Sequence, residues 1–383
     1  MQKPRILALS LGGTWCMKKK RLSDTGKDVK VAERLGEKFD FRKAFPAAEQ
    51  FCDPFFQEFA AVDSSNLTPL DWSMLAQRLG DDWGNYDAFV ILQGTDTLAF
   101  TAAALSFAMR YPDKPVILTG AQLELDAPGS DAHSNVINAL RAAALKNGSQ
   151  SAIKGPAVVF GSRIILGTRC RKHSERDLEA FQSVNVPDLG TFRLSVQLNA
   201  ATRDWNDQPR CVGQHQFHVA KGFDSHVVLL HVFPGMKPDL LSAIGKRCSG
   251  IVVAGYGAGN IPCSTPGREN ELSLEPAISE LVNMGIPVGI TTQCVIGQAE
   301  MGMYETGTAA QRAGAMILND MIPETAFVKL SWLLANESEW PTDAKRAMRG
   351  GPGRMAALRK AMLTNLAGEI TENQSLFGLY TAM

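Results

Sequence analysis

Short apolar runs bounded by Gly, Pro or Asp recur along the chain: Ile6 to Ser10, Ala88 to Gln93, Pro115 to Gly120, Pro156 to Phe160, Val227 to Phe233, Gly250 to Gly255 and Pro287 to Thr291. Continuous runs of β-formers without polar alternation fit strands that are covered on both faces. Between them, Thr97 to Tyr111, Asn135 to Leu145, Pro276 to Asn283 and Glu324 to Ala335 combine helical periodicity with good helix formers. Strand and helix alternate throughout, which predicts an α/β chain with open, mostly parallel sheets and helices on both faces. Such sheets bind ligands at the carboxyl ends of their strands.

The alternation stops around Gln197 to Gln216, where Asn199-Ala-Ala-Thr-Arg-Asp-Trp-Asn-Asp-Gln-Pro209 is polar and carries a proline. The reading is of two doubly wound domains: a larger N-terminal one over 1–200, a linker over 201–216, and a smaller C-terminal one over 217–383. A chain of 383 residues with 45% hydrophobic content supports that number of cores. The glycine-rich break Arg349-Gly-Gly-Pro-Gly-Arg354 reads as a surface loop.

Charge narrows the partners. Lys plus Arg equals Asp plus Glu at 39 each, so no global field draws nucleic acid, an anionic membrane or an acidic protein. The basic run Lys18-Lys-Lys-Arg21 reads as a solvated loop edge. Seven cysteines, odd in number and without a C-x-x-C pair, fit reduced intracellular thiols better than a disulfide framework or a zinc site. The six histidines have no metal-ligand spacing. The first apolar run is shorter than a signal segment, and no stretch approaches the roughly 20 apolar residues of a membrane span, so the expected location is the cytoplasm. Gly255-Tyr-Gly-Ala-Gly-Asn260 lacks the spacing of a dinucleotide loop, and no cofactor or metal is expected.

Three loops follow predicted strands at their carboxyl ends: Gly12-Gly13-Thr14, Gly94-Thr95-Asp96-Thr97 and Gly120-Ala121-Gln122. All three would open onto one crevice. Glycines allow close backbone approach, and hydroxyls and amides there can hold an anion or a polarised carbonyl. Any one such loop is equally well a simple turn. A hydroxyl nucleophile needs a base and a group that orients that base, roles a buried Lys and an Asp can fill. Asp96 stands at the crevice. Lys172, in Gly167-Thr-Arg-Cys-Arg-Lys172-His173, read alone, is one of several cations in a surface loop.

Taken together, Gly12-Gly-Thr14, Gln93-Gly-Thr-Asp-Thr97, Thr119-Gly-Ala-Gln122, Ser130-Asp131 with Asn135, Gly167-Thr-Arg169 with Lys172, Phe181-Gln-Ser-Val-Asn185, Gly255 to Asn260 and Thr292-Gln-Cys294 stand in one order along nearly the whole chain. In that order and spacing the chain resembles the bacterial L-asparaginases. Asp63-Ser64-Ser65-Asn66-Leu-Thr, Thr292-Gln-Cys294 and Asn365-Leu-Ala-Gly-Glu-Ile370 bring the resemblance closest to the cytoplasmic, type I branch. The resemblance implies that Thr14 is the nucleophile, attacking a side-chain amide carbon to give an acyl-enzyme and release ammonia. It implies that Thr95, Asp96 and Lys172 activate a nucleophile or the hydrolytic water. Asp63, Ser64 and Ser65 would hold the α-amino and α-carboxylate groups of a small amide, L-asparagine, with Thr95 and Asp96 also facing it. It further implies a homodimer or homotetramer with sites at a subunit contact and Asn260 contributed by the neighbour.

Three departures qualify that picture. Trp15 places a large aromatic beside Thr14, which suggests a reshaped pocket. The family's lid tyrosine, about ten residues after the nucleophile, has no counterpart near Gly26-Lys27; the tyrosines here are Tyr86, Tyr111, Tyr256, Tyr304 and Tyr380. Arg171 replaces a smaller polar residue, and Cys294 reads as a packed thiol. Two further readings therefore stay open, a hydrolase of a different small amide and a slow amino-acid-binding sensor.

Overall fold

The computed structural model describes residues 2–21, 28–31, 34–36, 39–206, 216–264, 267, 269–300, 305–349 and 353–371. The chain divides into two compact units, residues 1–221 and 222–383.

The first unit is built on an eight-stranded sheet. In chain order its strands are β1 (Arg5–Ser10), β2 (Asp53–Glu58), β3 (Ala88–Leu92), β4 (Pro115–Thr119), β5 (Gly155–Phe160), β6 (Arg163–Leu166), β7 (Gly190–Phe192) and β8 (Val196–Leu198). They lie in the order β8-β7-β6-β5-β4-β3-β1-β2. The first five run parallel, and β6 to β8 complete the sheet in antiparallel fashion. Every residue of β3, β4 and β5 is buried, as expected for strands covered on both faces. The helices α1 (Pro69–Asp81), α2 (Leu98–Ala108) and α3 (Ala132–Ala144) connect the parallel strands. From β1 the chain moves outward to β2, then crosses back to add β3, β4 and β5 on the other side. The reversal lies between β1 and β3, and the crevice at the carboxyl ends of these strands is where such a sheet takes its ligand.

Sequence periodicity passes over β2 because it is an edge strand, half-exposed and carrying Asp53, Pro54 and Glu58. It also passes over α1, whose start is set by Thr68-Pro69-Leu-Asp71. The Asp71 carboxylate accepts from the Thr68 backbone N–H at 2.7 Å and from its hydroxyl at 2.6 Å, satisfying the helix entrance. The run Lys18–Arg21 is a strand paired antiparallel with Asp28–Val31.

The second unit is a four-stranded parallel sheet of β9 (Val227–His231), β10 (Gly250–Gly255), β11 (Val288–Thr292) and β12 (Met316–Ile317), in that order. Its core packs Leu241, Ile251, Val253, Ile278, Leu281 and Ile290 between sheet and helices. The segment expected as a linker over 201–216 differs from that expectation at both ends. It opens inside a helix, Ala200–Asn206, and residues 217–221 belong to the first unit. His218–Val219 pairs there with Met109–Arg110, so the second unit begins at 222 rather than 217.

Candidate active site

Backbone hydrogen bonds draw the carboxyl ends of β1, β3 and β4 together. Leu11 donates to Leu92 at 2.8 Å, Val62 to Leu11 at 2.9 Å, and Gln93 to Thr119 at 3.0 Å. Glycines then allow the loops to touch. Gly13, at φ 95°, lies so close to the next loop that a Cβ on it would stand 2.2 Å from the Gly94 nitrogen. A Cβ on Gly94 would stand 2.6 Å from Ser64 Oγ, and one on Gly120 would stand 2.3 Å from the Gln93 carbonyl oxygen. Distances below 3.0 Å exclude a side chain without movement. The loops carrying Thr14, Thr95 and Gln122 are therefore packed backbone against backbone, with the Ser64 side chain against Gly94.

Lys172 reaches this crevice from a hairpin in which Cys170–Lys172 pairs with Phe181–Ser183. The hairpin is anchored by Phe181, fully buried, whose ring lies 4.8 Å from that of Phe160. The Lys172 ammonium donates to Thr95 Oγ1 at 2.8 Å and to Asp96 Oδ1 at 2.6 Å. Its side chain is 18% exposed, whereas that of Asp96 is 64% exposed. The sequence reading of Lys172 as a surface cation is thus replaced by that of a lysine held on two oxygens. Thr95 is buried, and its hydroxyl donates to Gln122 Oε1 at 3.3 Å while accepting from Lys172. A lysine in contact with both a threonine hydroxyl and a carboxylate can exchange a proton with the hydroxyl, with the aspartate balancing the lysine charge. Gln122 was legible only as part of its loop; its contact with Thr95 depends on the third dimension.

Thr14 opens a one-turn 3-10 helix, Thr14–Cys16, on the same edge. It is half-buried, and its hydroxyl makes no hydrogen bond to a described residue. Trp15 does not reshape the pocket. Its side chain is 1% exposed, turned into the core against Phe39 and Phe56, and its indole N–H donates to the Gly12 carbonyl at 3.1 Å. The aromatic therefore holds the turn from behind, where a small residue would leave a void.

Asp63 caps the turn Ser64–Asn66, accepting from the Ser65 N–H at 2.9 Å and the Ser65 hydroxyl at 2.7 Å. Ser64 is buried against Gly94, and its carbonyl accepts from the Thr97 hydroxyl at 2.8 Å. Thr14, Asp63, Ser64, Ser65, Thr95, Asp96 and Lys172 therefore all belong to the first unit, at the carboxyl edge of its sheet. Asn260 belongs to the second unit, in the tight turn after β10. There the Asn260 Oδ1 and the Tyr256 hydroxyl are buried and have no hydrogen-bond partner among the described residues.

Tyr86 and Tyr111 lie at the amino ends of β3 and β4, opposite the crevice; Tyr86 packs on Phe55 and Phe89. Gly26, Lys27, Tyr304 and Tyr380 lie outside the described residues. Cys294 is exposed rather than packed, because it follows β11 in a turn where its N–H bonds the Thr292 hydroxyl at 3.0 Å.

The chain is similar to known proteins along most of its length. Residues 5–204 match the family model "Asparaginase, N-terminal" and residues 226–348 match "Glutaminase/Asparaginase C-terminal domain". The chain is 35% identical to an L-asparaginase of Thermococcus kodakarensis over 310 residues, 81% of this chain and 84% of that one. It is 31% identical to L-asparaginase 1 of Escherichia coli over 372 residues, 97% of this chain and 99% of that one. It is also 29% identical to a glutamyl-tRNA(Gln) amidotransferase component of Thermofilum pendens, over 90% of this chain and 73% of that protein. The solved structure of the thermostable L-asparaginase from Thermococcus kodakarensis superposes with a TM-score of 0.76 at 31% identity, covering 96% of this chain and 100% of that one. The chain belongs to the asparaginase family and is an amidohydrolase acting on a small-molecule amide.

Proposed function

We propose that this amidohydrolase converts L-asparagine to L-aspartate and ammonia through an acyl-enzyme on Thr14. The observation that carries the reading is the contact of Lys172 with Thr95 and Asp96 in the crevice that Gly13 and Thr14 border. In the first half-reaction Thr14 Oγ attacks the amide carbon and gives up its proton. The C–N bond breaks and ammonia leaves carrying that proton. In the second, water attacks the ester carbon while Lys172, as the free amine, takes a proton from it through Thr95; the ester C–O bond then breaks, that proton returns to Thr14 Oγ, and aspartate leaves. Asp63, Ser64 and Ser65, with Asp96, receive the α-amino and α-carboxylate groups, which favours a free amino acid. This chemistry calls for no cofactor or metal.

Similarity over 97% of this chain to an enzyme named L-asparaginase 1 supports the type I branch, the branch for which a cytoplasmic location is expected. The buried Asn260 Oδ1, without a partner among the described residues, supports a role for that amide toward a ligand, supplied to a neighbouring subunit's site in a homodimer or homotetramer. The match to the model described as "Glutaminase/Asparaginase C-terminal domain" favours a second reading in which glutamine is the amide cleaved. The balanced charge weighs against a tRNA-linked role.

Ammonia release from L-asparagine, L-glutamine, succinamic acid and N-substituted asparagines discriminates these readings. Asparagine is expected to give the highest kcat/KM. A preference for glutamine, or stabilisation by aspartate and asparagine with no ammonia formed, would replace the proposal by an alternative amidase or by a sensor.

A further inference from the structure

Asp131 stands at the start of α3, where a carboxylate ordinarily caps the helix. Here its side chain makes no capping bond to its own helix. It turns instead to the loop after β4. Its two oxygens accept from the Gln122 N–H at 3.0 and 2.9 Å, and Oδ1 also accepts from the Leu123 N–H at 3.0 Å. Asn135 Nδ2 donates to Oδ2 at 3.0 Å and also to the Gly120 carbonyl at 3.0 Å. Asn135 Oδ1 accepts from the Gly161 N–H at 2.9 Å, which ties the pair to the end of β5. Asp131 is 5% exposed and Asn135 fully buried, so water does not compete for these bonds.

The loop they hold carries the amide that touches Thr95. Gln122 is fixed at both ends, Oε1 accepting from Thr95 Oγ1 and Nε2 donating to the Asp177 carbonyl at 3.2 Å. With its proton committed to Gln122, the Thr95 oxygen presents a lone pair to Lys172, which donates to it. The helix entrance is left to Ser130, whose hydroxyl accepts from the Ala132 N–H at 3.1 Å, and a buried carboxylate spent on one loop instead is costly unless the loop position matters.

Resting on the asparaginase reading above, we propose that Asp131 is a positioning residue for the reaction. Together with Asn135 it sets the backbone of Gln122, and through the Gln122 amide the hydroxyl orientation of Thr95 toward Lys172. Asp131 touches neither substrate nor reacting atoms.

The test compares Asp131→Asn, Gln122→Ala and the double variant in the full-length protein. Each single substitution is expected to lower kcat for L-asparagine by about 10- to 100-fold with KM changed less than about 3-fold. The double variant is expected to lose no more than the worse single one, because both act through one contact. Wild-type kcat in Gln122→Ala, which alters only a half-buried loop side chain, would overturn the proposal even if Asp131→Asn failed to fold. So would multiplicative losses, or a loss confined to KM. Crystal structures of the variants supply a readout independent of turnover. Asp131→Asn should move Gln122 Oε1 out of hydrogen-bonding reach of Thr95, and an unmoved amide would contradict the relay. If the wild type releases no ammonia, the substrate assignment fails while this structural arm still decides the relay.

Discussion

Lys172 and Thr95, 77 residues apart in the chain, meet with the lysine nitrogen 2.8 Å from the threonine oxygen. The hairpin at Cys170–Lys172 brings the cation over the carboxyl end of β3, and Asp96 balances its charge. A lysine can release a proton and take it back, whereas an arginine guanidinium stays protonated. Lys172→Arg therefore keeps the charge and loses the base. Ammonia release by Lys172→Arg and Lys172→Met is expected to fall about 10²- to 10⁴-fold with the circular dichroism spectrum unchanged. Arginine activity within tenfold of wild type would reduce the contact to a structural ion pair.

The close approach of Gly13 to Gly94 gives a prediction in stability. Gly13→Ala puts a side chain at φ 95° and 2.2 Å from a backbone nitrogen, so the strain of about 1–3 kcal/mol is joined by separation of the two loops. A lower Tm and loss of turnover should appear together. Gly84→Ala is the control, since its Cβ would meet nothing within 4 Å and its backbone is not left-handed. It should change stability by no more than about 0.5 kcal/mol. Equal effects of the two would show that loop packing does not hold the crevice.

In the second unit, Lys329 and Glu369 form an ion pair at 2.5 Å with both side chains fully buried. Lys329 also donates to the carbonyls of Met362 and Thr364, and Glu369 accepts from the N–H groups of Leu366 and Ala367. Removing one partner strands a buried charge, so Lys329→Met should cost about 3–5 kcal/mol in urea unfolding. Adding Glu369→Leu to that variant should recover much of the loss, and a further equal loss would exclude pairing as the cause.

The same pair sets a pH dependence. Burial pushes the Glu369 carboxyl up, but the Lys329 charge, its hydrogen bond and the Leu366 N–H outweigh that and leave it below its ordinary range. A folded pKa below the unfolded one contributes stability that is present above the unfolded pKa and lost as pH falls through the folded one. The acid limb of a Tm-against-pH curve should therefore be shallower in Glu369→Gln than in wild type. Identical acid limbs would show that Glu369 does not titrate on unfolding.

How much of this was legible beforehand follows from where each signal lies. The strands β3, β4, β5, β10 and β11 are runs of β-formers buried on both faces, so local composition announced them. The edge strand β2 was not announced, because its half-exposed pattern resembles a loop. Residues on loops after parallel strands, Thr14, Thr95 and Asp96, could be placed at one edge from the alternation alone. Lys172 could be joined to them only through resemblance, since a hairpin and not a parallel strand delivers it. The orientation of Trp15 went the other way: its neighbour in sequence is Thr14, but its neighbours in space are Phe39 and Phe56. Local order in a 3-10 turn does not say which side chain faces the solvent.

The measurement that bears most directly on the central claim is ammonia release from L-asparagine by wild type and Thr14→Ala side by side. Thr14 is half-buried and its hydroxyl makes no hydrogen bond to a described residue, so removal of that hydroxyl should leave the fold and Tm intact. Steady release by the wild type and none by Thr14→Ala is the predicted result. Retained turnover in the variant, or silence from the wild type at millimolar asparagine, would contradict the account.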